Sequence, residues 1–568
     1  MLQVWVQDSM TRIFPDQKPP ENSKKNIKIY VAHNEAGSFQ VGISGPPEGL
    51  NDLHVEASEM VSDAGARIPK ESIDVLYAEY VPVPWQSANN TPDDLEGQVP
   101  GFFPDPLLPT LWRGVGWVQF PGTVSSWIRV RINESIPAGI YRGNVGITCK
   151  AGQGSVQVEM HVWPFSLPKR SHFLMTNWLF PGLIIKFHKL EPLTERFWQV
   201  IERYARNLSD HRQNVILTPL FQINGNMNTQ LLDGRLQGQL IDIVETEYGK
   251  YTFDFHNFDK WVQLFLKYGF EGIEGSHLAI PGSRHPSDIL FRKPSWNHAG
   301  QCSFASTTDP DYRNFLKQFL TSLRLHLERN GWLKKFYLHL SDEPHGDQFE
   351  PYSSLSKFVR SVAPEIRLMD AMVQTEFAPY VDYPVPTGEA YERFVKSSDI
   401  PKERIWFYYA CSDCGLWPNR FIDYHLIRVR IFTWLAFRYN IPGFLHWGLN
   451  YWNWHSPDRF EMEYNPYDNT TGGGLPAGDG YVLYPPQMAS KSDDPVDSIR
   501  WEIIRKAMED YEYLYILKDL SASGNKQAKA LIEELEEKIA PSFTKYTRDH
   551  DYLENFRLRM GQTIAAAI

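Results

Sequence analysis

The feature that most constrains the fold is the alternation of strand-like and helix-like segments from about residue 172 to residue 454. Short apolar runs such as NVILTPLF (214–221) alternate with segments whose apolar residues recur at helical spacing, such as YRNFLKQFLTSLRLHLERNGW (312–332). Such alternation is typical of a doubly wound parallel sheet or of a (β/α)8 barrel. No GxGxxG or GxxxxGK motif follows a strand, so the phosphate-binding signature of the doubly wound sheet is missing. The length and the strand count favour the barrel.

The flanking regions have different patterns. Up to residue 167, runs such as SVQVEMHVWPF (155–165) alternate polar and apolar residues, and turn residues separate them, which predicts an all-β sandwich. After the barrel, DSIRWEIIRKAMEDYEYLYILKDLSAS (497–523) predicts a docking helix. We therefore predict a multidomain chain that consists of a β-sandwich domain over 1–167, a (β/α)8 TIM-like barrel over 168–470 and a C-terminal helical region over 471–568 packed on the barrel. The barrel strands are clear except for the sixth, which must lie near VDYPVP, where two prolines interrupt the run.

Charge and hydropathy exclude two classes of partner. The net charge is −11 and no run of five or six basic residues occurs, so we expect no nucleic-acid partner. No stretch approaches 18 consecutive apolar residues, so we expect no membrane insertion. The first residues, MLQVWVQDSMTRIFPDQ, lack the basic and apolar regions of a secretory signal, and we expect a cytoplasmic protein.

The four cysteines are too few for a disulfide framework, which fits a reducing compartment. Cys411 and Cys414 form a CSDC motif that could be half a zinc site or a redox pair. No second CxxC and no suitably spaced histidine pair accompanies it. We therefore expect neither a metal nor a cofactor.

Two acids stand side by side where the predicted strand FYLHL ends, in the segment HLSDEP (339–344). One interpretation is structural: Ser341 or Asp342 would cap a helix that begins at Pro344, because proline suits the first helical position and acids suit the positive end of the helix dipole. The other is catalytic, because barrel enzymes place their active sites at the carboxyl ends of the strands. Position alone does not separate the two, and a capping residue can also be catalytic.

Neighbouring acids place a limit on the chemistry of a glycosidase. Two carboxyl groups that flank a sugar stand roughly 5 Å apart in retaining enzymes and roughly 6.5–9.5 Å apart in inverting enzymes. Side chains of sequence neighbours diverge and bracket an anomeric carbon poorly in either mode. They better suit the exception in which the substrate's own 2-acetamido oxygen attacks, with one acid holding the acetamide and the other acting as acid and base.

The chain resembles glycoside hydrolase family 123 and the wider set of proteins that share its barrel and C-terminal region. The resemblance lies in an ordered set of segments over nearly the whole chain: HNEAGSFQVGI, FFPDPLLP, IPAGIYRGNVGI, HLSDEP, RIWFYYACSDCGLWPNRFID, GFLHWGLNYWNW, PAGDGYVLYP and SIRWEIIRKAMEDYEYLYIL. It implies β-N-acetylgalactosaminidase activity with retention through the acetamide. The resemblance further implies that Asp342 orients and polarises the acetamide and that Glu343 is the general acid and base.

Polar and aromatic residues that end predicted strands are the candidates for the substrate pocket. Any one of them can instead belong to the barrel core. Histidines in this set are expected to bind hydroxyl groups, since no third metal ligand is evident. A tyrosine hydroxyl could point at the acetamide carbonyl, and Trp178 is a further candidate. The predicted substrate-binding residues are Asn177, His277, Tyr408, Tyr409, His446, Trp447, Asn450 and Trp452.

The expected partner is a glycan with terminal β-GalNAc, such as a glycosphingolipid oligosaccharide. The 18 tryptophans and 28 tyrosines suit this partner, because flat rings pack on the apolar face of a sugar. Two alternatives remain at this point: another 2-acetamido-directed glycosidase, acting on β-GlcNAc, and a non-catalytic carbohydrate-binding protein. The intact acid pair argues against the second.

Overall fold

The computed structural model describes residues 1–46, 50–87, 95–110, 122–221, 239–281, 284–294, 300–302, 304–397, 399–452, 466–467, 475–486 and 492–568. In these ranges no helix combines the length and the apolar character needed to cross a bilayer. The predicted boundary at residue 470 and part of the segment that follows it lie outside the described residues.

Two sheets fill the N-terminal region. Their strands are β1 (Gln3–Asp8), β2 (Asn26–His33), β3 (Glu35–Ser44), β4 (His54–Ala57), β5 (Met60–Ser62), β6 (Arg67–Ile68), β7 (Ile73–Val83), β8 (Gly101–Leu108), β9 (Thr123–Ile132), β10 (Gly139–Cys149) and β11 (Gly152–Ser166). One sheet has the order β1-β3-β9-β7-β8, and the other has the order β2-β11-β10-β5-β6, with β4 also paired to β10. Apolar residues of both sheets, such as Val41 and Val145, belong to one hydrophobic cluster. The predicted sheet-rich N-terminal region is confirmed.

The middle of the chain alternates strands and helices as predicted. The strands are β12 (Leu174–Asn177), β13 (Val215–Thr218), β14 (Asp242–Glu247), β15 (Lys250–Asp254), β16 (Gly272–Gly275), β17 (Ile289–Phe291), β18 (Gly300–Cys302), β19 (Phe336–His339), β20 (Arg367–Ala371), β21 (Tyr383–Val385), β22 (Phe407–Tyr408) and β23 (Gly443–His446). The helices are α1 (Pro181–His188), α2 (Glu195–Asp210), α3 (His256–Lys267), α4 (Pro310–Arg329), α5 (Phe349–Val362), α6 (Gly388–Ser397), α7 (Leu426–Arg430) and α8 (Phe432–Tyr439). The strand predicted near VDYPVP is present as β21.

The parallel strands belong to two sheets, β12-β23-β22 and β13-β16-β19-β20-β21, and β14-β15 and β17-β18 are separate antiparallel hairpins. Backbone hydrogen bonds also run between the two parallel sheets at both of their edges. The Asn214 amide donates to the carbonyl of Met175 at 3.3 Å, and the Trp406 amide donates to the carbonyl of Pro384 at 3.1 Å. The bridge between Thr387 and Tyr408 is parallel, so the carboxyl ends of the strands in both parallel sheets lie at one end.

Helix boundaries in this region follow the capping rules. The side chain of Thr194 accepts a hydrogen bond from the amide of Phe197 at the start of α2. Asp309 caps α4 in the same way, and Pro310 occupies the first helical position.

The C-terminal region consists of α9 (Ile499–Ala522), α10 (Lys526–Glu534) and α11 (His550–Ala565). Helix α9 is buried on nearly every side and carries buried charges that pair with both other regions. Arg500 binds Asp105 of β8 at 2.9 Å, and Asp510 binds Arg430 of α7 at 2.6 Å. Removing Asp105 would leave the buried Arg500 without its carboxylate partner, and removing Arg430 would leave Asp510 with Arg557 alone, so these pairs help to fix α9 between the N-terminal sheets and α7.

Candidate active site

The acid pair lies in the segment that follows β19, at the carboxyl ends of the parallel strands. No helix begins at Pro344. A 3₁₀ turn over Gly346–Gln348 leads into α5, and His345 caps that turn, with the Gln348 side chain accepting from the His345 amide at 2.9 Å. The helix-cap interpretation of the acids is therefore not what the structure shows.

The carboxyl group of Asp342 is half-buried and makes no hydrogen bond to the part of the chain that the structure describes. Burial, followed by the charges of Glu343 and Asp370, raises the pKa of Asp342 to about 8, and the nearby His339 partly opposes this. Asp342 thus keeps a proton at neutral pH in the empty site, and its polar atoms are available to a ligand.

Glu343 is exposed and has a φ of 40°, in the left-handed region that non-glycine residues rarely adopt. Its amide donates to the carbonyl of Ala371 on β20 at 3.1 Å, which anchors the turn. The hydroxyl of Tyr408, at the end of β22, donates to Oε1 of Glu343. Burial and the charge of Glu343 hold the pKa of Tyr408 well above its usual value, so this hydroxyl stays a donor.

A buried charge network lies next to the pair. His339 donates from Nε2 to Glu274 at 2.7 Å and from Nδ1 to Asp370 at 3.0 Å. Burial opposes the imidazolium charge, but the two carboxylates outweigh it and raise the pKa of His339 to about 10. The indole of Trp178 also donates to Glu274, at 2.7 Å, and the hydroxyl of Tyr352 donates to Asp370 at 2.8 Å.

His277 is half-buried beside this network, with its ring centroid 4.5 Å from that of His339. Burial and the charge of His339 hold its pKa well below the usual range, so His277 is neutral. His277, His339 and Asp370 lie close enough to share a metal ion. However, both nitrogens of His339 donate to carboxylates, so this ring has no lone pair to offer a metal.

Four of the predicted pocket residues come together. Trp178, Tyr408 and Trp447 belong to one hydrophobic cluster between the parallel strands, and the ring of His277 lies edge-on to Trp178 at 5.1 Å. Trp447 is half-buried, and its indole donates to Oδ2 of Asp479 at 3.1 Å. Of these four, Tyr408 contacts the acid pair directly, through its hydrogen bond to Glu343.

Two predicted asparagines use their side chains inside the protein. Asn177 accepts from Arg420 at 2.7 Å and donates to Gln213 at 3.0 Å. Asn450 accepts from the Phe180 amide at 2.8 Å and donates to the Phe180 carbonyl at 3.2 Å. Both side chains hold neighbouring segments in place and have no direct route to a ligand.

Three aromatic candidates are also buried outside the cluster of Trp178. The indole of Trp452 donates to the carbonyl of Leu483 at 2.7 Å. Tyr409 and His446 lie ring to ring at 5.5 Å and are fully enclosed. The structure therefore does not place these three beside the acid pair.

Sequence reasoning missed several acids of the site. Glu274 and Asp370 interrupt apolar strand segments, GIEG and RLMDA, and an acid inside such a run was the signal that could have revealed them. Asp413 lies within the CSDC motif, and burial, with the charges of Glu389, Asp479 and Glu343, raises its pKa to about 7. The same burial effect raises the pKa of Asp479 to about 6.

The cysteines of the CSDC motif behave as buried thiols. Burial, and next the charge of Asp479, raises the pKa of Cys411 to about 12. Burial, and next the charge of Asp413, raises the pKa of Cys414 to about 11. The thiol of Cys414 donates to the carbonyl of Cys411 at 3.2 Å. Thiols that hold their protons so firmly are poor metal ligands and poor nucleophiles.

Comparison with known proteins identifies the relatives of this chain. The family model described as "Glycoside hydrolase 123, catalytic domain" matches residues 178–517. No curated protein matches the sequence. A family 123 glycoside hydrolase from Clostridium perfringens, studied for glycolipid glycan hydrolysis, has a similar structure, with a TM-score of 0.73 and 16% identity over 100% of this chain and 98% of that chain. At this identity the likeness is one of fold.

Other solved structures are more distant. A β-D-glucuronidase from Dictyoglomus thermophilum has a TM-score of 0.34 and 9% identity over 85% of this chain and 69% of that chain. An endo-β-1,4-mannanase from Thermotoga petrophila has a TM-score of 0.33 and 10% identity over 60% of this chain and 77% of that chain. Similarity this low has no bearing on the activity of the chain.

Proposed function

The chain belongs to glycoside hydrolase family 123, and from this premise we propose that it is a retaining exo-β-N-acetylgalactosaminidase. It releases terminal β-GalNAc from glycans such as glycosphingolipid oligosaccharides. The Clostridium perfringens structure, which concerns glycolipid glycan hydrolysis, supports this substrate class.

In the proposed first step, the acetamide oxygen of the substrate attacks the anomeric carbon while the bond to the leaving oxygen breaks. Glu343 gives its proton to that oxygen, and Asp342 accepts a hydrogen bond from the acetamide N–H and stabilises the developing oxazolinium charge. In the second step, water attacks the anomeric carbon, Glu343 takes the proton of the water, and the acetamide is restored. Two displacements at one carbon retain its configuration.

The observation that carries the proposal is the state of the two carboxyl groups. Asp342 is half-buried, and its carboxyl group has no partner in the described ranges, so its oxygens can bind the acetamide. Glu343 is exposed, and Tyr408 holds its carboxyl group in one orientation. Tyr408 acts in this proposal as a positioning residue for the acid.

Titration of the pair supports a division of roles. Because two adjacent carboxyl groups repel each other when both are charged, the pair holds one proton up to about pH 8, the pKa of Asp342. In the empty site this proton lies on Asp342. An acetamide N–H that binds Asp342 favours the ionised form of Asp342, which is the form that stabilises the oxazolinium charge.

We also propose that the parallel strands close into a (β/α)8 barrel. Side chains from both parallel sheets, such as Val215 and Met369 of one and Tyr408 and Leu445 of the other, fill one hydrophobic cluster, as in a barrel interior. The N-terminal sheets likewise share one cluster, which supports a β-sandwich over 1–167. The boundaries at residues 167 and 470 stay predictions.

A panel of nitrophenyl β-glycosides of GalNAc, GlcNAc, galactose and glucose tests the function. We expect hydrolysis of the GalNAc glycoside, with retention of configuration, and much slower hydrolysis of the galactoside, which has no acetamide. Equal rates on galactose and GalNAc would overturn acetamide participation. Faster release from GlcNAc would keep the mechanism and change the substrate.

A further inference from the structure

Four buried polar atoms near Trp447 have no hydrogen-bond partner in the described part of the chain. They come from the end of β22, the end of β23 and two loops beyond these strands, and all four side chains are closed to solvent. They are Tyr409 Oη, Arg420 Nε, His446 Nε2 and Asp479 Oδ1. Buried polar atoms are nearly always paired, so four of them in one place call for a ligand.

The four side chains form one cluster. Oδ1 of Asp479 lies 3.7 Å from Nε2 of His446, too far for a good direct hydrogen bond. The ring of Tyr409 meets that of His446 edge-on at 5.5 Å. The guanidinium of Arg420 donates to the backbone carbonyl of Asp479 at 3.1 Å, which brings its Nε into the same region.

The hydrogen atoms of the cluster can be assigned. The Gly448 amide donates to Nδ1 of His446 at 3.1 Å, so the proton of this neutral ring is on Nε2, which makes Nε2 a donor. Burial, with the charges of Arg420 and Arg500, keeps the pKa of His446 well below its usual range. The cluster therefore presents three donors and one carboxylate acceptor. A water molecule can accept two of the donors and donate to the carboxylate.

The cluster is connected to the candidate pocket through Asp479. Its Oδ2 accepts from the indole of Trp447, and its Oδ1 faces His446. The orientation of the carboxylate therefore helps to set the orientation of the half-buried Trp447 ring.

We propose that Tyr409, Arg420, His446 and Asp479 enclose an ordered water, and that this water makes Asp479 a positioning residue for Trp447. The water site stands on geometry alone, whereas the effect on substrate binding rests on the proposed function. A small anion is the rival ligand, since three donors could bind one, but the carboxylate of Asp479 opposes it.

A crystal structure of the full chain tests the site without reference to activity. We expect one water within hydrogen-bonding distance of at least three of the four atoms. A direct hydrogen bond between His446 and Asp479 with no water would overturn the proposal. An anomalous peak at the same place after a bromide soak would also overturn it, because the ligand would then be an anion.

Variants test the connection to Trp447. Asp479→Asn keeps the size of the side chain but offers the cluster an amide donor in place of the acceptor, so the water is lost and the Trp447 ring moves. We expect KM for the GalNAc glycoside to rise about tenfold while kcat changes by less than about threefold, because a lost hydrogen bond to a charged group has this size and does not touch the acid pair.

Tyr409→Phe removes one donor without touching Trp447, and it serves if Asp479→Asn fails to fold. We expect a rise in KM of about threefold and a displaced water. Tyr391→Phe is the matched control, because Tyr391 Oη is also buried without a partner in the described residues but lies elsewhere, and the KM and kcat of this variant should stay parental.

An unchanged KM in Asp479→Asn, or an equal rise in Tyr391→Phe, would overturn the positioning role. If the parent hydrolyses none of the glycosides, the proposed function fails, and the position of the Trp447 ring in Asp479→Asn crystals still tests the cluster.

Discussion

Replacing Asp342 by asparagine is the sharpest test of the proposed chemistry. Asparagine keeps the size of the side chain and can still accept a hydrogen bond, but it carries no negative charge. Since the carboxyl group of Asp342 makes no hydrogen bond to the described residues, the substitution should leave the fold intact. Because burial and nearby charges oppose the ionised form of Asp342, we expect a melting temperature at or above that of the parent, together with a large loss of turnover.

The size of that loss can be worked out from the site. A carboxylate about 4 Å from the oxazolinium charge contributes about 4 kcal/mol at an effective dielectric constant of about 20. At pH 7 part of this is offset, because the pKa of Asp342 is about 8 and ionising the group one unit below its pKa costs about 1.4 kcal/mol. The net loss is about 2.6 kcal/mol, or about 10² in kcat, similar to the removal of other preorganised electrostatic contacts.

The assay compares kcat and KM on nitrophenyl β-GalNAc, together with the affinity for a GalNAc-derived thiazoline, which mimics the cyclised intermediate. Asp347→Asn is the matched control, because Asp347 is an exposed acid on the same segment and pairs with Arg284. The control should retain parental rates. A stable Asp342→Asn protein that turns over within about threefold of the parent would refute the role of Asp342 in acetamide participation.

Further predictions concern the same site. Glu343→Gln should slow unactivated disaccharides far more than nitrophenyl glycosides, because the lost proton matters most for poor leaving groups, and equal losses on both would contradict its role as the acid. Tyr408→Phe should lower kcat about tenfold with little change in KM, since it frees the Glu343 carboxylate; a parental kcat would show that this contact is dispensable. The rate kcat/KM should fall about tenfold per pH unit above about pH 8, where the pair loses its single proton, and a flat profile to pH 10 would oppose this. Activity should survive exhaustive chelation, and a loss reversed by Zn²⁺ would revive a metal role for His277.

Much of the fold was predictable because local patterns encode it. The alternation of apolar runs and helical spacing located the parallel strands, including β21 with its prolines, and the HLSDEP segment placed the acids at the end of β19. These features depend on residues that are close in sequence, so one amino-acid sequence is enough to predict them.

The side of the strand on which each terminal side chain lies could not be predicted. Tyr408 and Tyr409 are adjacent and chemically equal, yet only Tyr408 joins the cluster beside the acids, while Tyr409 packs on the other side of the strand. Parallel strands are buried on both faces, so neither face shows a polar pattern that would tell inside from outside.

The charge network could not be predicted either, because its partners are distant in sequence. It explains why the segment HLSDEP begins with a histidine. His339 sits between the carboxylates of Glu274 and Asp370, so one positive charge meets two negative charges next to Asp342. Burial, then the charge of Glu343 and then that of Asp370 favour the protonated form of Asp342, and the charge of His339 partly opposes them. The histidine that opens the segment thus tethers Asp370, whose charge adds to burial and to Glu343 in raising the pKa of Asp342.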